Sequence, residues 1–468
     1  MSLVIYLAVT LAFAAGAWLT RGRPPVSTLI GIAGLVAAAM AAVAIRPGET
    51  LMMDGAGLAT SAFGRIYLVL GSVTALGLVV AGLAGRTRPD LPAICLATLG
   101  ISCLALGLTD PPAALVAATA AGLVGAMLAG TPGGDRAGAT AGIRHLRAVV
   151  TAGALAVLAV AWVDPDLTAL GLAPPAFGLA YLAVALGVAI RFGAIPFHVS
   201  AARLTDVIPD VGLPLATVLA AAPFAIVGLD WVSATAAPLS GELDAERAIV
   251  LAVAIASIAL AALASFVQDD LEHVVGYSIV GDAGVAMLAV AALDPVAPAP
   301  ARAWLIAMVV TRSAFAVWAS GVRSAAGTGR ITELRGWGRH SPALLLALGL
   351  VVIASVGLPG FAAFEARASL VTMSVEGPLA TPLLLVVLAP LAFYARLLAV
   401  GVARPDGPLN RDVDWRPRVG LPDLTAIRSW GTLTWETNRA FSGALAAMLL
   451  AALAVATSVG AFGTASAG

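Results

Sequence analysis

Lysine is absent from this chain of 468 residues, and all 26 basic positions are arginine. Arginine stays charged under almost any condition, so no basic side chain here can serve as a tunable amine. A GC-rich coding sequence would account for the absence without any functional reason. Cysteine is nearly absent too. Cys95 and Cys103 fall in one predicted helix, about 12 Å apart along its axis, and cannot bridge each other. With no third thiol, an iron–sulfur or zinc site built of thiolates is excluded. Charge is scarce: 11% of residues, against about 25% in soluble domains. A formal net charge of zero argues against a nucleic-acid partner. No nucleotide, flavin or cluster motif is visible, so no cofactor is expected.

What fills the chain is apolar. Hydrophobic residues make up 60%, and the mean hydropathy is +0.99. Apolar runs of about 20 residues recur from end to end, each long enough to span a bilayer. The expected fold is an all-α polytopic membrane protein. The first run is followed by Arg21 and Arg23 with no evident cleavage signal, and reads as a retained helix. Fourteen spans are predicted: 2–20, 27–45, 65–85, 91–108, 111–130, 147–163, 174–199, 211–231, 247–267, 273–293, 301–321, 342–373, 379–400 and 440–464. The arginines test this count. Eighteen fall in loops after odd spans and four in loops after even spans; Arg191, Arg312, Arg367 and Arg396 fall within spans. Basic loops stay cytoplasmic, which places both termini outside and the 401–439 loop inside.

Two spans carry breakers. "RFGAIPFH" (191–198) ends span 7, and "VGLPGFAAFEARASL" (356–370) lies within span 12. Pro196 and Pro359 interrupt a helix by removing a donor and clashing with the preceding turn. They are five spans apart, an odd number, so they cross in opposite directions. Each is the fourth helix of a five-helix unit. The expected division is therefore 1–90 for spans 1–3, and 91–231 and 247–400 for two inverted five-helix repeats. The loop 401–439 and the last helix, 440–468, follow. Broken helices at matching places in inverted halves point to a transport path near the midplane.

Several motifs then occur in order: "GAIPFH" followed by "LPLATVLAAA", "SFVQDDLEHVVGYSIVGDAG" (265–284), "SAFAVW" (313–318), "ELRGWGRHSP" (333–342), "GLPGFAAFEAR" (357–367) and "FYARL" (393–397). Together, over roughly residues 90 to 400, they resemble the antiporter-like proton-channel subunits of respiratory complex I. The N-type subunit of bacterial NADH-quinone oxidoreductase is the most similar in look and length. The resemblance implies a fourteen-helix inverted-repeat fold and a chain of charged residues along the membrane midplane. It puts Arg191 where the family has a span 7 lysine, Arg367 at the lysine of the span 12 break, and Arg396 in the "YLR" stretch. Asp282 replaces the histidine of "SIAHxG". The family's span 5 glutamate would lie near Ala118 or Thr119, and its span 8 lysine near Phe224; neither is present. "DLKRLLAYS" reads "DLEHVVGYS", with Glu272 and His273 at the basic positions.

Read by themselves, intramembrane charges are costly and face partners or water. Arg312, deep in span 11, is either part of a polar axis or a structural pair with an acid such as Asp282. Arg191 sits beside a helix break. Arg396, near a helix end, can reach the interface by snorkelling. Glu365 and Arg367, two residues apart, point to different faces. Asp282 is the best buried titratable group. His198 is either an interface histidine or part of the path. His273, with Asp269, Asp270 and Glu272, reads more as a solvated loop than a relay. The candidate path is Arg191, His198, Asp282, Arg312, Glu365, Arg367 and Arg396.

The expected function is a proton-translocating subunit of a complex I-like NADH-quinone oxidoreductase, in a bacterial plasma membrane, with other membrane subunits and the bilayer as partners. Redox chemistry would belong to those partners. The rivals are a subunit of a membrane-bound hydrogenase, a cation/proton antiporter or an ion-coupled carbon-uptake complex, or a scaffold with impaired transport.

Overall fold

An apolar chain in a bilayer finds no water for its backbone, so each crossing closes its hydrogen bonds internally as a helix. A computed structural model describes residues 2–53, 56–84, 88–130, 136–163, 174–375, 377–404 and 439–463. Its first half runs α1 (Ser2–Leu19), α2 (Pro24–Val43), α3 (Ala62–Ala84), α4 (Leu91–Gly107), α5 (Pro111–Gly130), α6 (Arg136–Trp162), α7 (Pro174–Phe192), α8 (His198–Thr205) and α9 (Ala222–Trp231). Its second half runs α10 (Asp244–Val267), α11 (Leu271–Ala292), α12 (Pro298–Ala326), α13 (Trp337–His340), α14 (Pro342–Val356), α15 (Ala362–Ser374), α16 (Ala380–Val387), α17 (Leu391–Val402) and α18 (Arg439–Ser458). Among the described residues, eleven helical segments are long and apolar enough to cross a membrane. Three shorter apolar helices, Leu91–Gly107, Pro342–Val356 and Gly443–Ser458, accompany them.

The expected interruptions are present. After α7 the chain turns at Gly193, with φ +68°, before α8 begins. Between α14 and α15 lie Gly357 and Gly360, at φ +71° and +91°, a region open to glycine at little cost. A third interruption was not expected. The 211–231 span is a π-turn at Leu215–Leu219 followed by α9. Pro223 has no N–H to give the Leu219 carbonyl four residues back, so the regular ladder fails there.

Two other expectations need correction. The all-α fold carries one antiparallel hairpin, β1 (Thr50–Met53) with β2 (Ala56–Ala59), pairing Leu51 with Leu58. The strands flank Asp54-Gly55, a dipeptide that favours tight hairpin turns. Span 6 starts at Arg136 rather than 147. Its first turns are amphipathic. Gly138, Ala141, Gly142, His145 and Val149 are buried on one face, while Arg144 and Arg147 are exposed on the other. The charges read as loop are therefore the outer face of a helix. An added Cβ at Gly138 would lie 2.6 Å from the Ala129 carbonyl, so this face packs backbone-close on α5. The 401–439 loop falls outside the described residues from 405 to 438.

The centre of the bundle is α9, α11 and α12. All of α11 from Ser278 to Ala292 is buried, and α12 is buried from Ala303 to Ala319. These two helices position the site.

Candidate functional site

Asp282 sits near the middle of α11 and Arg312 near the middle of α12. Their side chains are 4% and 1% exposed. Arg312 Nη2 donates to Asp282 Oδ1 at 3.0 Å, and its Nε donates to Oδ2. The remaining arm, Nη1, donates to the Tyr394 hydroxyl on α17 at 2.8 Å. That hydroxyl donates onward to Ser355 Oγ, on α14, at 3.1 Å. Phe315 fixes the tyrosine ring edge-on at 5.3 Å. One cation thus joins four helices.

Arg367, on α15, is 3% exposed. Its Nη2 donates to the Ser355 carbonyl at 2.5 Å and its Nη1 to the Val356 carbonyl at 2.8 Å. The physical reason lies in the break. The Ser355 carbonyl would receive the N–H of residue 359, and that residue is proline. The guanidinium replaces the missing donor. Its carbon lies 4.6 Å from the ring centre of Trp304, a cation–π contact. Trp304 Nε1 in turn donates to the Asp282 carbonyl at 3.3 Å. No carboxylate pairs with Arg367 among the described residues, and its Nε has no partner.

The other half has a parallel arrangement. Arg191, at the end of α7 and 3% exposed, donates from Nη2 to the Ala220 carbonyl at 2.6 Å. Tyr67, on α3, donates to the Leu219 carbonyl freed by Pro223, at 2.6 Å. Arg191 Nε and Nη1 have no partner, and no acid pairs with it among the described residues. Its guanidinium lies over Gly122 of α5; a Cβ there would sit 2.6 Å from Nη2. One turn along α5, the ring of His145 lies over Gly125 in the same way, with Nε2 unpartnered. The small residues of α5 make room for both rings and charges. Ala118 and Phe224, near the positions of the family's acid and lysine, are fully buried.

The remaining candidates lie elsewhere. Glu365 is exposed on the outer surface, and its Oε1 accepts the Gly360 N–H at 3.0 Å across the break. It does not join Asp282. Arg396 donates to the Phe266 and Gln268 carbonyls, both at 2.5 Å, and so caps the end of α10. Asp269 is 3.8 Å from it. These contacts lie outside the buried row. His198 opens α8, half-buried, with Nδ1 unpartnered and its ring 6.5 Å from that of Tyr277 on α11. His273 meets Asp206 at 3.3 Å, while Arg323 bridges Glu272 and Asp210, the latter at 3.5 Å. These groups form a half-exposed ionic cluster at the arginine-rich end of the bundle.

Sequence reasoning did not single out Tyr67, His145, Trp304, Ser355 or Tyr394. The prolines at 223 and 359 were the available signal. Each frees a carbonyl, and a buried donor must be found for it.

Interrupted helices that hold charges inside a multi-pass bundle define a transporter-type membrane protein. The family described as "NADH:quinone oxidoreductase/Mrp antiporter, TM" matches residues 154–392, half of the chain, and this chain belongs to it. NADH-quinone oxidoreductase subunit N of Halorhodospira halophila is 28% identical over 54% of this chain and 51% of that protein. Subunit N 1 of Streptomyces griseus is 32% identical over 46% of this chain and 44% of that protein. The matched stretch thus spans about half the length of these curated relatives. Whole-fold similarity is wider. A chain of respiratory complex I from Thermus thermophilus with bound aureothin has a TM-score of 0.70 at 20% identity, covering 96% of this chain and 97% of that one. A chain of the Mrp complex from Dietzia sp. has 0.75 at 18%, covering 99% and 97%. A chain of the archaeal membrane-bound sulfane sulfur reductase has 0.76 at 13%, covering 99% and 96%. At these identities the likeness is one of fold.

Proposed function

We propose that this chain is a proton-translocating membrane subunit of a complex I-like NADH-quinone oxidoreductase. The observation that carries the reading is the buried row Asp282–Arg312–Tyr394–Ser355 beside Arg367 at a proline break. A hydroxyl chain next to a carboxylate can pass protons; the arginines supply fixed charge that gates it. In the first half, His145 beside Arg191 is the group that can take and release a proton. His198 lies between the halves. The eleven long segments and three shorter helices support fourteen crossings, and the paired breaks support two inverted repeats, 91–231 and 247–400. The arginine distribution supports termini outside, an internal 401–439 loop, and a bacterial inner membrane. Partners are the other membrane subunits, which hold the quinone chemistry.

The test is proton extrusion per electron by the purified assembly in vesicles, with subunit content measured on the same preparation. Asp282→Asn and Tyr394→Phe each lower the ratio. An unchanged ratio in both, singly and together, removes the path and leaves a scaffold. That second reading has its own support in the acid and lysine missing near Ala118 and Phe224. The fold similarity to the Mrp and sulfur-reductase chains, no lower than that to the complex I chain, supports a further variant, the same role in another complex; co-purifying subunits decide it.

A further inference from the structure

A cavity of about 640 Å³ lies away from the charged row, at the arginine-poor end of the bundle. Its walls are the start of α3, the α4–α5 connection, the end of α6, α9 with the turn after it, and the start of α12. Its size falls within the range of about 300–1,000 Å³ common for small-molecule sites, and its lining is largely apolar with a few polar groups. Three of those groups lack any partner among the described residues: Trp231 Nε1, Thr235 Oγ1 and Arg302 Nε. Trp231 and Thr235 are 5% and 6% exposed. All three atoms can donate, and a buried donor left unpaired is costly. An acceptor-rich group in the cavity would satisfy them together.

Two carboxylates border the same space. Asp230 accepts from Arg302 Nη2 at 2.7 Å, and Asp110, exposed, accepts from the Ala113 N–H at 3.0 Å. The site therefore pairs a cluster of donors with a surplus of negative charge, which fits a ligand carrying both an anion and a cation. Access is from the side. Val150, Leu158 and Trp162 form an exposed apolar face on α6, and Ala161, next to it, is exposed and lines the cavity.

We propose that this cavity seats the headgroup of a zwitterionic phospholipid. The phosphate accepts from Arg302, Trp231 and Thr235; the ammonium faces Asp230 and Asp110; an acyl chain lies along α6. An anionic lipid fits less well, because its phosphate would meet two carboxylates with no cation of its own to answer them. The site stands independently of the transport reading.

The test uses the intact assembly, stripped of lipid in detergent and reloaded from vesicles of phosphatidylethanolamine or phosphatidylglycerol, or incubated with inorganic phosphate. Native mass spectrometry of the released subunit reads what is retained. Phosphatidylethanolamine is expected to be retained at one copy, several-fold above phosphatidylglycerol, with no retention of phosphate. Trp231→Phe keeps the ring, removes the N–H and lowers retention several-fold. Arg302→Gln lowers it further. Asp110→Asn narrows the preference between the two lipids. Because Arg302→Gln also strips Asp230 of its partner, Trp231→Phe carries the test where that variant fails to assemble. Absence of retained lipid, equal retention of the two lipids, retention of free phosphate instead, or retention unchanged by Trp231→Phe would each overturn the proposal.

Discussion

Asp282 and Arg312 form a two-point ion pair in which both side chains are almost fully buried, and Tyr394 holds the arm of the arginine that Asp282 does not reach. The geometry gives the cation two neighbours of different kinds. One is a carboxylate; the other is a hydroxyl that passes hydrogen bonding on to Ser355. The Arg312 guanidinium is thereby held by Asp282 on one side and by the Tyr394 hydroxyl on the other.

Removing either partner leaves an uncompensated charge in the interior, which costs about 3–5 kcal/mol. Asp282→Asn and Arg312→Met are therefore each expected to lower the thermal stability of the assembly and its content of this subunit. The double variant is expected to cost clearly less than the sum of the two. The two-point pair is the reason Asp282→Asn is not expected to spare assembly. Additive losses in calorimetry of the double variant would argue that the residues act separately.

Tyr394→Phe keeps the ring against Phe315 and deletes only the hydroxyl. Arg312 Nη1 and Ser355 Oγ each lose a partner. The expected cost is about 1–3 kcal/mol, too little to abolish assembly. Proton extrusion per electron is expected to fall while subunit content stays near normal. A wild-type ratio in this variant would place the path elsewhere.

The buried arginines were legible because a charge at mid-bilayer has few places to go. The breaks of spans 7 and 12 were legible because each holds a proline, Pro196 three residues after Gly193 and Pro359 next to Gly360. The break before α9 was equally written, in Pro223, yet that run is otherwise so apolar that its length dominated the reading. Glu365 and Arg396 show what depth along a span does not tell. Glu365 lies at a plausible depth but faces outward, and Arg396, near a helix end, caps α10. Facing is set by neighbours distant in sequence. Tyr394 is 82 residues from Arg312, and Tyr67 is 152 from Leu219. Uncharged hydroxyls are common in such helices, so nothing local marks these two. His145 escaped because Arg144 and Arg147 beside it read as loop.

Gly122 leaves the room that the Arg191 guanidinium occupies. Gly122→Ala would place a methyl 2.6 Å from Nη2 and drive the charge off the Ala220 carbonyl. Gly125→Ala would do the same to His145, with its Cβ 2.3 Å from Nε2. Both are expected to reduce extrusion per electron, and His145→Gln to reduce it without the steric effect. Full extrusion in His145→Gln would show that the first half moves no proton through this histidine.

Glu365→Gln is expected to leave extrusion close to wild type. The amide oxygen can still accept the Gly360 N–H, and the side chain lies outside the buried row. Glu365→Ala loses that bond, as a helix start loses its cap, at about 0.5–2 kcal/mol. The measurement is extrusion with both variants against subunit content. A pumping defect in Glu365→Gln at normal content would return this acid to the path.

Arg191 offers the sharpest distinction between gating and carrying. It stands where the family resemblance implies a lysine, and it touches a carbonyl rather than an acid. If its charge alone matters, Arg191→Lys should keep extrusion, provided the amine reaches the Ala220 carbonyl, while Arg191→Met should lose it. A lysine there gains what arginine lacks, a proton that burial can loosen. Arg191→Lys is therefore expected to add a pH dependence to extrusion that the wild type does not have, with activity falling at high pH as the amine loses its charge. The readout is extrusion per electron across pH for the three forms, normalised to subunit content. Equal loss in Arg191→Lys and Arg191→Met would mean that the planar guanidinium, filling the space over Gly122, is required for its shape and not only for its charge.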